Sequence, residues 1–176
     1  MRLLKLTLVA ICLLFAYNEA TAQVVKGIFT DITEVRRYKF EADFSQASIH
    51  GMVESDFAIY EPEWNNDLSK VIIKFTSNAT EELVDYGVLI SPSIDSDYKM
   101  VWKVYSISKK GDVVSDVVII NDKTGDVVIQ ISEVNASGGR IGSKMNLIGD
   151  GAIHAGEKFG KFMSKRFKYY KVQKQQ

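Results

Sequence analysis

Several segments of the chain alternate hydrophobic and polar residues with a period of two. Residues 38–44 place apolar side chains between charged ones, and residues 97–107 repeat this alternation over a longer stretch. Residues 127–134 alternate in the same way, whereas residues 113–120 are rich in valine and isoleucine. Alternation predicts half-buried strands, and the valine-rich segment predicts a strand that is mostly buried on both faces.

Two short polar segments separate the last three of these strands. They are "KKGD" at residues 109–112 and "NDKTGD" at residues 121–126. Gly125 supplies the positive φ that a type I turn followed by a bulge requires, so the second segment is typical of a hairpin. The sequence therefore predicts a three-stranded antiparallel meander over residues 97–134.

A spacing of three and four residues between apolar positions predicts a first long helix. It follows a short helical turn predicted at residues 54–60, and Pro62 suits its first turn because the missing N–H costs nothing there. Its buried face is formed by Trp64, Leu68, Val71, Phe75 and Ala79. The helix is expected to end near Asp85, before a turn at Gly87.

The same spacing predicts a second helix after Ser143, which is a suitable N-cap. Its apolar face is formed by Met145, Ile148, Ala152, Ala155, Phe159 and Phe162. Three glycines, Gly149, Gly156 and Gly160, fall on the flank of this face, and each costs a helix about 1 kcal/mol relative to alanine. We therefore expect the helix backbone to approach the sheet or the other helix closely.

The glycines of this segment, "GDGAIHAGEKFGKF" at residues 149–162, also approach a phosphate-binding motif. Residues 151–156 have the opening spacing of a P-loop. However, Glu157 stands where that motif requires lysine, and Lys158 stands where it requires serine or threonine. A packed helix is the favoured interpretation, and no nucleotide or other cofactor site is predicted.

Together these elements predict an α+β fold with the order β–α–β–β–β–α. The expected architecture is an antiparallel sheet with two amphipathic helices packed on one face. We divide the chain into a cleaved signal peptide at residues 1–22, a strand or lead-in at 23–34, a single domain at 35–168 and a basic tail at 169–176.

The beginning of the chain has the pattern of a secretory signal peptide. Arg2 and Lys5 precede an apolar run at residues 6–15, and residues 20–22 ("ATA") supply the small side chains that a signal peptidase requires. This run is shorter than the ~20 residues that span a bilayer. We expect an exported protein that begins at Gln23 and is located in the periplasm, or outside the cell in association with the outer membrane.

The single cysteine offers an alternative, since Cys12 could be the lipid-modified residue of a lipoprotein. Ile11 precedes it, where lipoprotein processing requires a small residue. We therefore favour the cleaved signal. No later apolar run is long enough to be a transmembrane segment.

Charge is balanced overall but unevenly distributed. The chain has 22 basic and 22 acidic residues, so no nucleic-acid partner is indicated. Residues 40–69 contain acids and no lysine or arginine, whereas residues 158–176 contain bases and no acid. These two patches either neutralise each other or are solvated. Alternatively, the basic segment contacts an anionic lipid or lipopolysaccharide surface through Lys161, Lys165, Arg166, Lys168 and Lys171.

Candidate catalytic chemistry is sparse. His50 and His154 are the only histidines, and His154 is expected to be solvated because it lies opposite the apolar helix face. No metal site or catalytic set is predicted, so we expect a protein that is not an enzyme. The most suggestive carboxylates are Glu61 and Glu63 beside Trp64, which together could contact a sugar. The favoured interpretation is an acidic helix N-terminus with the tryptophan in the core.

The pieces of the meander and the glycine-bearing helix carry a resemblance. "SDYKMVWKV" (96–104), "NDKTGDVVIQI" (121–131) and "GG" (138–139) followed by "AGEKFGKFM" resemble small exported envelope proteins of unknown function from Gram-negative bacteria. The cleavage site "ATAQ" is similar to those of Bacteroidetes-type exported proteins. The likeness covers residues 35–168 and implies an envelope location. It implies no catalytic residues, and the chain lacks the processed cysteine of the lipoprotein members.

These observations rank three functions. The first is a non-catalytic module that binds or helps to assemble another envelope component. The second is an electrostatic binder of membranes or lipopolysaccharide through the basic C-terminus. The third is a carbohydrate-active or carbohydrate-binding protein. Either an envelope protein or an anionic lipid surface could be the partner, and the sequence does not indicate an oligomeric state.

Overall fold

The computed structural model describes residues 22–173. The predicted signal segment lies outside this range except for Ala22, and Cys12 also lies outside it. The strands are β1 (Gln23–Gly27), β2 (Arg37–Asp43), β3 (Ser48–Ile49), β4 (Met52–Val53), β5 (Leu89–Ser91), β6 (Tyr98–Ile107), β7 (Val113–Asn121) and β8 (Val127–Ser132). The α-helices are α1 (Glu54–Tyr60), α2 (Glu63–Glu81) and α3 (Lys144–Gln173), and short 3-10 helices occupy Phe29–Ile32 and Val84–Tyr86.

The eight strands form one mixed sheet with the order β1-β8-β7-β6-β2-β5, to which β3 and β4 add beside β6. The α+β class is confirmed, but the prediction of an antiparallel sheet was wrong. Strand β2 pairs in parallel with both β5 and β6, and β3 pairs in parallel with β6. Parallel neighbours require a crossover connection. Helices α1 and α2 lie in the connection from β2 to β5, so the chain returns to the sheet in the same direction.

The predicted meander is present. Strand β6 pairs antiparallel with β7, and β7 pairs antiparallel with β8. The turn between β7 and β8 contains Gly125 with φ 77°, as its sequence predicted. Burial of β7 on both faces is confined to its middle, because Val117 and Val118 are buried whereas Val114 is 44% exposed.

Both predicted helices form, although the boundaries differ. Helix α2 ends at Glu81 rather than near Asp85, and the chain continues through a 3-10 helix to Gly87, which has φ 64°. Helix α3 begins after Ser143, whose hydroxyl accepts a hydrogen bond from the backbone N–H of Asn146 at 3.3 Å. That contact confirms the predicted N-cap. A third α-helix, α1, adds to the two that were predicted, because the expected turn at 54–60 completes seven helical residues.

Phe75 on α2 lies at the centre of the core, between the sheet and α3. Its ring stacks on three other rings. The distances between ring centroids are 4.5 Å to Trp102 of β6, 5.2 Å to Phe40 of β2 and 6.0 Å to Phe159 of α3. Aromatic contacts of this kind add to the free energy gained by burying the rings. Helices α2 and α3 are therefore fixed against each other and against the sheet.

Helix α3 is longer than the predicted core helix and carries its glycines on packed surfaces. Gly151 faces the backbone carbonyl of Gly111 in the β6–β7 turn, and Gly160 faces Ala79 of α2. Both glycines are buried. Their role is close packing, as the helical interpretation predicted. Residues 169–173, part of the predicted tail, continue the helix to Gln173.

Candidate functional site

A cavity of about 670 Å³ lies between α3, the start of β7 and the segment after β8. We call this cavity the α3 groove. Its lining residues are His154, Glu157, Lys158, Lys161, Phe162 and Lys165 from α3; Asp112, Val113 and Val114 around the start of β7; Asn135, Ala136 and Ser137 after β8; and Ala22. Its volume falls within the range of small-molecule binding sites.

The wall opposite α3 is formed by residues 135–137 and is fixed on both sides. Ala136 forms an antiparallel bridge with Val113, with N–H···O distances of 2.8 and 2.9 Å. From the other side, Lys158 Nζ donates a hydrogen bond to the carbonyl oxygen of Asn135 at 3.0 Å. Because sheet and helix both hold this segment, the groove is preformed.

His154 is exposed, as predicted, but its ring lines the groove. Its Nδ1 lies 2.7 Å from the carbonyl oxygen of Ser137. A carbonyl oxygen only accepts hydrogen bonds, so Nδ1 carries the hydrogen in this contact. In the neutral ring, Nε2 then remains as an acceptor.

Three lysines, Lys158, Lys161 and Lys165, recur at spacings of three and four and therefore share one face of α3. Lys161 Nζ lies 3.5 Å from carboxylate oxygens of both Glu82 and Glu157. The negative charges of Glu82 and then Glu157 raise the pKa of Lys161. Within residues 22–173, Lys165 makes no hydrogen bond or ion pair, so its ammonium group is available to a ligand.

Asp112 holds the end of the groove where β7 begins. Its Oδ1 accepts a hydrogen bond from the backbone N–H of Gly138 at 2.9 Å, and its Oδ2 accepts one from Ser108 Oγ at 2.7 Å. These two hydrogen bonds, the one from Gly138 first, lower the pKa of Asp112. The carboxylate therefore supports the loop rather than standing free in the cavity.

Two of the five basic residues predicted to contact an anionic surface, Lys161 and Lys165, lie in the α3 groove, and three do not. The guanidinium of Arg166 lies 5.2 Å from the ring centroid of Phe162. Lys171 lines a second cavity of about 220 Å³, and Lys168 lines neither cavity. The fold thus divides a basic segment that appears continuous in the sequence.

The second cavity combines aromatic and charged side chains at the end of α3. It is lined by Thr33, Glu34, Arg36, Asp85, Tyr86, Phe167, Tyr170 and Lys171. Arg36 donates a hydrogen bond to the carbonyl oxygen of Thr33 at 2.6 Å, and its guanidinium lies 5.9 Å from the ring centroid of Phe167. The guanidinium thus already has partners in the fold. The larger α3 groove is the better candidate site.

The residues predicted as a sugar contact do not form a common surface. The side chain of Trp64 is fully buried, with its ring centroid 5.3 Å from that of Phe44 and 5.5 Å from that of Phe57. Glu63 is exposed one position earlier in the chain. The tryptophan belongs to the core, so its ring has no face on which a sugar could stack.

Glu61, the remaining residue of that set, belongs to a small charged cluster near His50. Its Oε2 lies 3.0 Å from Lys144 Nζ, and that ammonium group lies 4.3 Å from the ring centroid of Tyr60. Burial lowers the pKa of His50, and the charge of Lys144 lowers it further. The imidazole packs edge-on against Phe57 at 5.0 Å. These contacts are those of a packed histidine.

The described part of the chain, residues 22–173, contains no group of three or more His, Cys, Asp or Glu side chains that could hold a metal ion. Its helices also lack the combination of length and apolar character that a bilayer-spanning segment needs.

Sequence reasoning missed Asp112, Lys158 and the 135–137 wall, and it did not connect His154 with a site. One signal was available. Positions 154, 158, 161 and 165 are spaced by four, three and four residues, which places them on one helical face. The wall could not be found in this way because it comes from a distant part of the chain.

No protein-family model matches the chain, and no curated protein matches its sequence. Two solved structures with partial likeness are PelC dodecamers from Paraburkholderia phytofirmans. A single-substitution variant is 14% identical with a TM-score of 0.41, covering 82% of this chain and 98% of that one. A second PelC dodecamer is 11% identical with a TM-score of 0.40, covering 79% and 98%. At this level of similarity, nothing about PelC is carried over to this chain.

Proposed function

We propose that this protein is an exported, non-catalytic module that binds an anionic component of the cell envelope through the α3 groove. Export rests on the signal pattern at residues 1–22. The observation that carries the binding role is the unpaired ammonium group of Lys165 in a preformed cavity of about 670 Å³. Lys158 and Lys161 add positive charge on the same helical face.

Electrostatics favour a negatively charged ligand in this groove. Three lysines line it against two carboxylates, and Asp112 already accepts two hydrogen bonds from the fold. A cation held in a concave, partly apolar wall attracts an anion more strongly than the same cation on an open surface, because less water screens it.

A second candidate function is the electrostatic binding of a membrane surface by the tip of α3. Lys168 lies there beside Tyr169 and Val172, which are 56% and 50% exposed. Exposed apolar side chains among lysines are typical of helices that lie at a lipid interface. The two functions differ in the lysines that they require.

The test is cell fractionation combined with a charge variant of the groove. The combined variant Lys158→Gln, Lys161→Gln and Lys165→Gln removes three charges from it. A matched control, Lys109→Gln, Lys123→Gln and Lys168→Gln, removes three charges outside its lining. We expect only the groove variant to lose association with the envelope fraction. Equal association of both variants and the parent protein would contradict the proposed function.

A further inference from the structure

Resting on the proposed function, we infer that the ligand of the α3 groove is an acidic saccharide, a short sugar chain that carries carboxylate, sulfate or phosphate groups. The residues that line the groove favour this class over the other anionic components of an envelope. An acyl-chain lipid, the principal alternative, is an outcome of the test.

The groove lining contains both donors and acceptors of hydrogen bonds, and this mixture favours a saccharide. Lys165 supplies donors, Glu157 supplies acceptor oxygens, and His154 presents Nε2 because its Nδ1 is already bonded to the wall. Sugar hydroxyls both donate and accept hydrogen bonds, so they can satisfy all three groups. A phosphodiester group only accepts hydrogen bonds, so it could not donate one to the Glu157 carboxylate or to His154 Nε2.

The apolar surface of the groove is divided into small patches, which favour a sugar ring over an acyl chain. Val114 is 44% exposed and Phe162 is half-buried, and both lie among polar lining residues. Patches of this size suit the C–H face of a sugar ring. An acyl chain gains about 0.8 kcal/mol for each buried CH₂ group and therefore requires a continuous apolar channel. The groove interrupts its apolar surface with charged side chains.

The size and shape of the α3 groove also suit a short sugar chain. A volume of about 670 Å³ is sufficient for a ligand of roughly two to three sugar rings, and the cavity is partly open to solvent. An open cavity accepts an internal segment of a longer chain. Lys165 would bind the acidic group, while the wall at Asn135 and Ser137 would contact the hydroxyls.

The experiment is isothermal titration calorimetry of the chain beginning at Gln23 with defined probes. The acidic probes are tetragalacturonate and a heparin tetrasaccharide, the neutral probe is maltotetraose, and the lipid probe is vesicles of phosphatidylglycerol and phosphatidylcholine. The matched variants are Lys165→Gln, inside the groove, and Lys168→Gln, outside it. Both residues are exposed on α3, so circular dichroism should show both variants folded.

We expect at least one acidic tetrasaccharide to bind, and we expect Lys165→Gln to weaken that binding at least tenfold. Lys168→Gln should change it less than twofold, and maltotetraose should not bind. If the vesicles bind through Lys165 while neither acidic tetrasaccharide binds, the saccharide inference is overturned and the proposed function stands. If neither an acidic tetrasaccharide nor the vesicles bind, or if the two variants are equally impaired, both the saccharide inference and the proposed function fail.

Discussion

The backbone of Gly156 on α3 lies directly against the carbonyl oxygen of Phe75 on α2, and a Cβ atom at position 156 would overlap that oxygen. Phe75 is also the residue whose ring joins both helices to the sheet. The contact therefore explains why a helix former such as alanine is absent at this position. It also fixes the distance between the two helices that carry the core.

Gly156→Ala should therefore destabilise the fold by about 1–3 kcal/mol, because the backbone of α2 must move to admit a methyl group. The matched control is Gly149→Ala in the same helix, where the atoms nearest to an added Cβ belong to the side chain of Lys74. That flexible side chain can move, and alanine favours a helix by about 1 kcal/mol over glycine. Urea unfolding of both variants measures the difference. Equal changes in the free energy of unfolding would contradict the close contact between Gly156 of α3 and the backbone of α2.

A pH-dependent contribution to stability is expected from Asp112. Its pKa is lowered in the folded state by the hydrogen bonds from Gly138 and Ser108. This contribution is present above the ordinary pKa of 3.8 and is lost as the pH falls through the lower folded-state value. Asp112→Asn should therefore lower Tm at pH 7, and the gap in Tm to the parent protein should narrow as the pH falls below 3.8. If the difference in Tm between the variant and the parent protein did not depend on pH, the charge of Asp112 would not be its cause.

His50 should also make stability fall on acidification, but at a higher pH than Asp112, because the folded protein resists protonation of the imidazole. Burial and then Lys144 lower its pKa below 6.5. The unfolded chain therefore binds a proton at a higher pH than the folded chain, and stability falls as the pH drops below that value. His50→Asn, which tolerates the observed φ of 54°, should lose less stability between pH 7 and pH 5. Calorimetric Tm values at both pH values test this, and identical slopes would contradict it.

Substitutions of Trp64 and Glu63 distinguish a role in the core from a role in sugar contact. Trp64→Ala should destabilise the protein by about 3–5 kcal/mol because it removes a fully buried ring. Glu63→Gln should leave stability and saccharide binding unchanged, because the side chain is exposed away from the α3 groove. Chemical unfolding and the calorimetric titration described above provide both readouts. Loss of binding in a stable Trp64→Phe variant would restore the earlier interpretation.

The elements that could be predicted are those encoded locally. The turn at Gly125, the N-cap at Ser143 and the apolar spacing of α2 each depend on residues within about five positions of one another. The parallel pairing of β2 with β6 was not predictable in this way. It depends on which strand the chain meets after the crossover, and no local pattern records that choice.

The candidate site divides along the same line. Lys161 and Lys165 were predicted because the basic segment is visible in the sequence. Their separation from Lys168 was not predicted, because it arises from the wall at residues 135–137, which the bridge to β7 brings against α3. Trp64 shows a different limit of sequence reasoning. A tryptophan beside two glutamates is equally consistent with a sugar site and with a core position, and only its packing decides between them.

Binding of an anionic ligand in the α3 groove can be followed residue by residue in a two-dimensional ¹H–¹⁵N NMR titration. The probes are tetragalacturonate and a short-chain phosphatidic acid, added separately to the labelled protein. We expect amide shifts to change in three segments that meet only in the folded structure: residues 112–114, 135–137 and 154–165. Shifts confined to residues 168–173, or no shifts with either probe, would contradict it.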